Sequence, residues 1–250
     1  QVRRFIHVST DEVYGESTGK DKFLEESVLE PTNPYAASKA AAEFVAKAYH
    51  RSFKLPVIIT RGNNVYGPHQ YPEKLIPKFI NQMLRGLPLT VHGDGSTRRN
   101  LLYVTDVADA FMTILSHAEP GQVINIGGHY EHSVLEVADA VLESFGRSDQ
   151  RDALLNFVED RHFNDTRYNI DNSKLRELGW EPKVDFAEGL RRTLEWYQSH
   201  TTHWGSIEHA LAAHPRFFGD YGSHEPPVDP RHRSRPPTPP LNQYLSASRP

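Results

Sequence analysis

Two groups of residues could do acid–base chemistry. The first is Ser9-Thr10-Asp11-Glu12-Val13-Tyr14-Gly15, adjacent carboxyls beside serine and threonine hydroxyls, directly after the apolar run Phe5-Ile6-His7-Val8. Neighbouring carboxyls can serve as separate acid and base when their surroundings push their pKa values apart. Ser, Thr, Asp and Gly are also ordinary turn formers, so taken alone the segment fits a polar strand-to-loop turn equally well. The second group is Tyr35-Ala36-Ala37-Ser38-Lys39. Tyr and Lys four residues apart share one helix face. An ammonium beside a phenol favours phenolate, lowers the tyrosine pKa and makes a base able to act near neutral pH. The same spacing arises by chance on surface helices. What adds weight is its position, about two dozen residues after Ser9-Thr10.

The elements that must position these groups alternate in type. Short apolar runs at 5–8, 56–59 and 123–126 read as buried strands, each leading into a polar or glycine-rich turn. A helix is predicted over 34–52, with Asn33 as N-cap, Pro34 at its first position and an alanine-rich start. Further helices are predicted over 74–84, 106–116, 134–145, 173–178 and 186–200. Strand, helix, strand with buried strands predicts an α/β fold with a parallel sheet. Ligands of such sheets sit at the carboxyl ends of strands, where Ser9–Gly15 would lie. No internal repeat is evident.

Several longer motifs follow one another in order. Thr10-Asp11-Glu12-Val13-Tyr14-Gly15, Asn33-Pro34-Tyr35-Ala36-Ala37-Ser38-Lys39 and Arg61-Gly62-Asn63-Asn64-Val65-Tyr66-Gly67-Pro68 come first. Pro72-Glu73-Lys74-Leu75-Ile76-Pro77, Arg99-Asn100-Leu101-Leu102-Tyr103-Val104, Asn125-Ile126-Gly127-Gly128 and Asp160-Arg161-His162-Phe163-Asn164-Asp165 complete the series. The chain thereby resembles the nucleotide-sugar 4,6-dehydratases of the extended short-chain dehydrogenase/reductase family. Trp204-Gly205 and His214-Pro215-Arg216 resemble the dehydratase domain of plant-type UDP-rhamnose synthases. The resemblance covers about residues 2–218.

The resemblance implies the C-terminal part of a Rossmann-like parallel sheet with helices, plus a smaller mixed α/β substrate domain. Residues 1–68 would be the C-terminal part of the NAD-binding domain with the catalytic residues. Residues 69–222 would be mainly the substrate domain, with a return to the sheet near 100–128, and 223–250 a Pro-rich tail. NAD would lend and recover a hydride while a nucleoside-diphosphate glucose becomes its 4-keto-6-deoxy sugar. Tyr35 would take the C4 hydroxyl proton, Lys39 would hold the Tyr35 pKa down and bind the nicotinamide ribose, and Thr10 would hydrogen-bond the C4 oxygen. Glu12 would remove the C5 proton and Asp11 would protonate the departing C6 hydroxyl. Related 4-epimerases have small or hydroxyl residues at the two carboxyl positions, and related decarboxylases keep the glutamate but carry serine in place of Asp11. Those two reactions are the alternatives, together with a non-catalytic relative that binds a nucleotide sugar or a partner.

Further site residues follow from the same resemblance. Ser9 and Asn63 join Tyr35 and Lys39 in the cofactor site. Asn64, Lys74, Leu75, His92, Arg99, Asn125, Arg161 and Asn164 line the nucleoside-diphosphate site, with the arginines on the diphosphate. Lys74 or Arg99 taken singly would equally suit a solvated surface. His92 and Asn164 stand where thymidine-type enzymes have tyrosine and histidine, which leans the base towards uracil. The 34–52 helix carries an outward face with Phe44, Val45 and Ala48; in related enzymes this helix pairs in a four-helix dimer interface, so the resemblance implies a homodimer of the complete protein, although core packing would also account for those residues.

Composition bounds the rest. The chain has 250 residues, 28 basic against 32 acidic side chains and no cysteine. That excludes disulfides, thiolate zinc sites and a cysteine nucleophile, and it gives no global pull towards nucleic acid. The fourteen histidines include His129-x-x-His132 and His200-x-x-His203, but neither pair brings a clear third ligand, so no metal site is expected. No apolar stretch approaches a membrane span, and a cytoplasmic enzyme is expected. From Ser223 onward lie eight of the 18 prolines, a segment expected to be disordered; Arg235-Pro-Pro-Thr-Pro-Pro240 could dock a Pro-binding module or simply be solvated. The glycine-rich phosphate loop of dinucleotide-binding folds, Gly-x-x-Gly-x-x-Gly, occurs nowhere. The chain opens on Gln1, and both methionines, Met83 and Met112, are internal. It is therefore read as N-terminally truncated, with most of the cofactor's cradle in sequence or in a chain outside these residues.

Overall fold

A computed structural model describes residues 2–17, 22–160 and 167–213. Arg161, Asn164, His214-Pro215-Arg216 and the Pro-rich tail lie outside the described residues. The first half of the chain forms β1 (Phe5–Thr10), a 3-10 turn (Asp11–Tyr14), α1 (Pro34–Phe53), β2 (Val57–Gly62), β3 (Asn64–Tyr66), α2 (Leu75–Leu84), β4 (Leu89–His92), β5 (Arg98–Tyr103) and α3 (Val104–His117). The second half adds β6 (Val123–Ile126), β7 (Glu131–Ser133), α4 (Val134–Ser144), α5 (Arg151–Leu154), β8 (Leu155–Val158), α6 (Ser173–Glu177), α7 (Phe186–Ser199) and α8 (Glu208–Leu211).

The three strands expected from apolar runs form one parallel sheet in the order β1-β2-β6. β2 lies in the middle and is buried along nearly its whole length, which is why Val57, Ile58 and Ile59 are apolar without alternation. The helix between β1 and β2 begins as its sequence predicts. Asn33 Oδ1 accepts from the Ala36 N–H at 2.8 Å and Pro34 takes the first position, where a missing N–H costs nothing. Ala36, Ala40 and Ala46 form the buried face of α1, small enough to let the helix lie close to the sheet; Glu43 is the one charge among them.

Five strands escaped the sequence reading. β3, β5 and β7 form a second sheet, parallel between β3 and β5 and antiparallel between β5 and β7, and β4 pairs in parallel with β8. They are short, several are polar, and each finds its partner far along the chain, so no local period announces them. The core around these strands is built from α2, α4 and α7, with Ile76, Phe79, Ile80, Val137, Val141, Leu142 and Leu190 buried together. A second cluster, including Ile58, Ile114, Ile124 and Trp180, packs α3 and the 175–180 segment against the first sheet. Among the described residues no helix is long and apolar enough to cross a membrane.

Candidate active site

The carboxyl end of β1 runs directly into the 3-10 turn, and this junction brings the two sequence groups together. Thr10 is the N-cap of the turn, its Oγ1 accepting from the Glu12 N–H at 3.3 Å. Gly15 closes the turn at φ +83°, and a Cβ there would come within 2.4 Å of the Glu30 carbonyl oxygen, so no other residue fits. Asp11 is only 2% exposed. Its Oδ1 lies 3.2 Å from Thr10 Oγ1 and its Oδ2 accepts from Asn63 Nδ2 at 2.6 Å. Burial pushes the Asp11 carboxyl up to about 7; the Asn63 hydrogen bond opposes that rise and the Glu12 charge adds to it.

Glu12 is half-buried, and its Oε2 accepts from Asn33 Nδ2 at 3.1 Å. Asn33 thus caps α1 through its oxygen and holds Glu12 through its nitrogen, a second role that its place as an N-cap did not reveal. Tyr35 stands at the start of α1, 54% exposed, with its hydroxyl in hydrogen-bonding reach of Thr10. The Lys39 ammonium donates to the Val8 carbonyl at 2.6 Å rather than to the Tyr35 hydroxyl. Burial, followed by the Glu12 and Asp11 charges, raises the Tyr35 pKa rather than lowering it.

Behind this front lies a buried polar frame. Arg61, 1% exposed on β2, donates from Nε and Nη2 to the two oxygens of Glu43 at 2.9 and 2.6 Å. Its Nη1 reaches the Tyr14 hydroxyl at 2.7 Å and the Glu25 carbonyl at 3.0 Å. The Tyr14 hydroxyl in turn donates to Asn125 Oδ1 at 2.8 Å.

The remaining expected site residues divide into two groups. Ser9 is buried beside Thr10 at the end of β1. Asn63, expected at the cofactor, has its side chain committed to Asp11 and to the Gly128 N–H. Asn125, expected at the substrate, is fully buried with its oxygen on Tyr14 and its nitrogen on the Phe23 carbonyl at 3.1 Å, so its amide braces the wall of the site. Arg99 is half-buried over the Tyr168 ring, 5.1 Å from its centroid, and close enough for its charge to act on Asp11. Asn64 opens β3 and Lys74 precedes α2, both exposed; Leu75 is half-buried at the first position of that helix. His92 ends β4, its Nδ1 3.3 Å from the Glu159 carbonyl. Neither the Asn33–Glu12 hydrogen bond nor the Arg61–Glu43 pair was legible in the sequence, because these contacts span 21 and 18 positions.

A parallel sheet with a paired-carboxyl turn at its carboxyl edge and a Tyr/Lys helix beside it defines a Rossmann-like α/β chain. A model of the GDP-mannose 4,6 dehydratase family matches residues 1–193, and the chain belongs to that family. It is 51% identical over 221 residues to a trifunctional UDP-glucose 4,6-dehydratase/UDP-4-keto-6-deoxy-D-glucose 3,5-epimerase/UDP-4-keto-L-rhamnose-reductase of Arabidopsis thaliana, covering 87% of this chain and 33% of that protein. It is 46% identical over 218 residues to dTDP-D-glucose 4,6-dehydratase of Homo sapiens, covering 86% of this chain and 62% of the relative. Among solved structures it is similar to the dTDP-glucose 4,6-dehydratase of Streptomyces venezuelae crystallised with NAD, at a TM-score of 0.77, 42% identity and coverage of 82% of this chain and 62% of that one. The chain therefore spans a third to about three fifths of the length of these relatives.

Proposed function

We propose that this chain is the catalytic and substrate-binding part of an NAD-dependent 4,6-dehydratase that acts on a nucleoside-diphosphate glucose, UDP-glucose in preference to the dTDP sugar. The observation that carries the reading is the meeting of two unlike carboxyls with Thr10 and Tyr35: Asp11 is buried and raised to about 7, and Glu12 is half-buried on Asn33. Elimination of water needs this division of labour, one group to give a proton and another to take one.

NAD, when bound, supplies the acceptor and donor of a hydride. Ser9, Tyr35 and Lys39 suit the nicotinamide–ribose end of that cofactor, being gathered at the carboxyl end of β1. Tyr35 takes the proton of the C4 hydroxyl and Thr10 hydrogen-bonds the C4 oxygen. Turning the Lys39 ammonium from Val8 towards Tyr35 would favour the phenolate that this step needs. Once C4 is a ketone its C5 proton is acidified, and Glu12, steadied by Asn33, removes it. Asp11 protonates the departing C6 hydroxyl. Lys74, Arg99 and, by resemblance, Arg161 are the cations offered to the diphosphate, and Asn64, Leu75 and Asn125 are assigned to the same site by that resemblance.

The preference for uracil is supported by His92 and Asn164 and by the higher identity to the UDP-glucose relative. Residues 1–68 would complete the cofactor domain and residues 69–222 mainly the substrate domain. The exposed stripe Phe44, Val45 and Tyr49 on α1 supports pairing of two copies in the whole protein.

The test is a protein in which this chain is supplied with a glycine-rich dinucleotide segment, in one polypeptide or in trans. UDP-glucose is expected to give the 4-keto-6-deoxy product with a higher kcat/KM than dTDP-glucose, and Asp11→Asn is expected to slow elimination about 100-fold or more. A 4-epimer or a decarboxylated sugar as the product would overturn the reading.

A further inference from the structure

Asn63 is the single residue joining β2 to β3, because Gly62 ends the first strand and Asn64 begins the second. Its backbone is fixed by an N–H donated to the Ile126 carbonyl at 3.1 Å, and its side chain is only 5% exposed. The amide spans two partners: Nδ2 donates to Asp11 Oδ2 at 2.6 Å, and Oδ1 accepts from the Gly128 N–H at 3.3 Å. A backbone N–H can only donate, so the amide oxygen must face Gly128 and the NH2 group must face Asp11. Gly127 leaves room for this approach, and Gly128 leaves room for the Asn100 side chain. A Cβ on Gly127 would come within 3.1 Å of Asn63 Oδ1, and one on Gly128 within 2.2 Å of Asn100 Oδ1.

The same geometry decides which oxygen of Asp11 can carry a proton. Oδ2 already receives a donor that cannot be turned around. Oδ1 faces the Thr10 hydroxyl at 3.2 Å, a group that can donate or accept. In the acid form the O–H therefore sits on Oδ1.

We propose that Asn63 is a positioning residue for Asp11, fixing its rotamer and confining its acidic proton to Oδ1, on the side of Thr10 and Tyr35. This rests on the reading of Asp11 as the acid of the reaction. A donor held on a carboxylate also favours the ionised form, so Asn63 works against burial and keeps Asp11 able to release its proton.

The experiment follows Asp11 directly. Its titration in the 250-residue chain is read by isotope-edited infrared difference spectra against Asp11→Asn, a readout independent of turnover. Asn63→Leu is expected to move the midpoint up by about one unit or more, a tenfold or larger drop in the ionisation constant. Asn63→Ser, with a hydroxyl too short to reach Asp11, is expected to move it in the same direction and serves if the leucine variant does not fold. In the active protein the loss of elimination at high pH should shift upward by the same amount, with kcat reduced and KM changed less than about threefold. A folded Asn63 variant with an unmoved midpoint overturns the proposal. A shifted midpoint in a protein without dehydratase activity would refute the function and leave the positioning role intact. Dehydratase activity with an unmoved midpoint would do the reverse.

Discussion

Keeping Asp11 inside the protein costs stability on one side of the pH scale only. Its folded pKa of about 7 lies above the ordinary 3.8, so the folded state holds a proton that the unfolded chain has released. Below pH 4 both states are protonated and nothing is lost. Between 4 and 7 stability falls as pH rises, and above 7 the penalty is complete, on the order of a few kcal/mol. Asp11→Asn removes the ionisable group and keeps an oxygen for the Asn63 donor, so it should stabilise the chain at pH 8 and leave it unchanged at pH 4. Urea midpoints of the two proteins across that range test this; curves that stay parallel would show that Asp11 titrates normally. The adjacency of Asp11 and Glu12, and the demand that their environments differ, were legible in the sequence. What separates them was not, because Asn63 is 52 positions from Asp11 and Asn33 is 21 from Glu12. Hydrogen-bond partners of this kind are set by the sheet, and no local spacing encodes them.

At the scale of elements, α1 is more than a carrier for Tyr35 and Lys39. Glu43 stands four residues beyond Lys39 on the same face, and it is the group that Arg61 grips with both prongs of its guanidinium. Because Arg61 also holds Tyr14 and the Glu25 carbonyl, the helix with the Tyr/Lys pair and the turn with the carboxyls are tied to one side chain of β2. Burial alone would raise the Glu43 pKa, but the hydrogen bonds and charge of Arg61 hold it below its ordinary value. Such a pair is costly to break and cheap to replace as a whole. Arg61→Met should destabilise the chain by about 3–5 kcal/mol, whereas the double change Arg61→Met with Glu43→Leu should recover most of that loss. A urea double-mutant cycle measures both; equal loss in the single and double variants would mean that the pair contributes through packing alone. α1 itself was well legible, from its N-cap to within a residue of its end, since caps and alanines act locally. β3, β4, β5, β7 and β8 were not, since their stability comes from partners elsewhere in the chain. The anchoring role of Arg61 was hidden for the same reason, although an arginine following Val57-Ile58-Ile59-Thr60 in a buried strand was the available signal.

Taken whole, the 250 residues hold the reactive groups proposed above and lack a glycine-rich phosphate loop. Among the described residues β1 pairs with β2 alone and leaves Phe5 44% and Val8 52% exposed. An exposed apolar edge strand is a ready template for pairing with a further strand. The groups proposed for NAD, Ser9, Tyr35 and Lys39, would reach only the nicotinamide and its ribose. The pyrophosphate needs a glycine-rich loop and helix N-terminus, and no Gly-x-x-Gly-x-x-Gly occurs in the 250 residues. Most of the charge on a dinucleotide lies in that pyrophosphate, so its recognition cannot be made up by Tyr35 and Lys39. The isolated chain should therefore bind NAD more weakly than about 1 mM, leaving a free energy of no more than about 4 kcal/mol. Supplying the glycine-rich segment should restore affinity by two orders of magnitude or more. Titration calorimetry on the isolated chain decides the matter: a micromolar dissociation constant would mean that the dinucleotide is held by residues other than those named here, and that the division of cofactor binding between two segments is wrong.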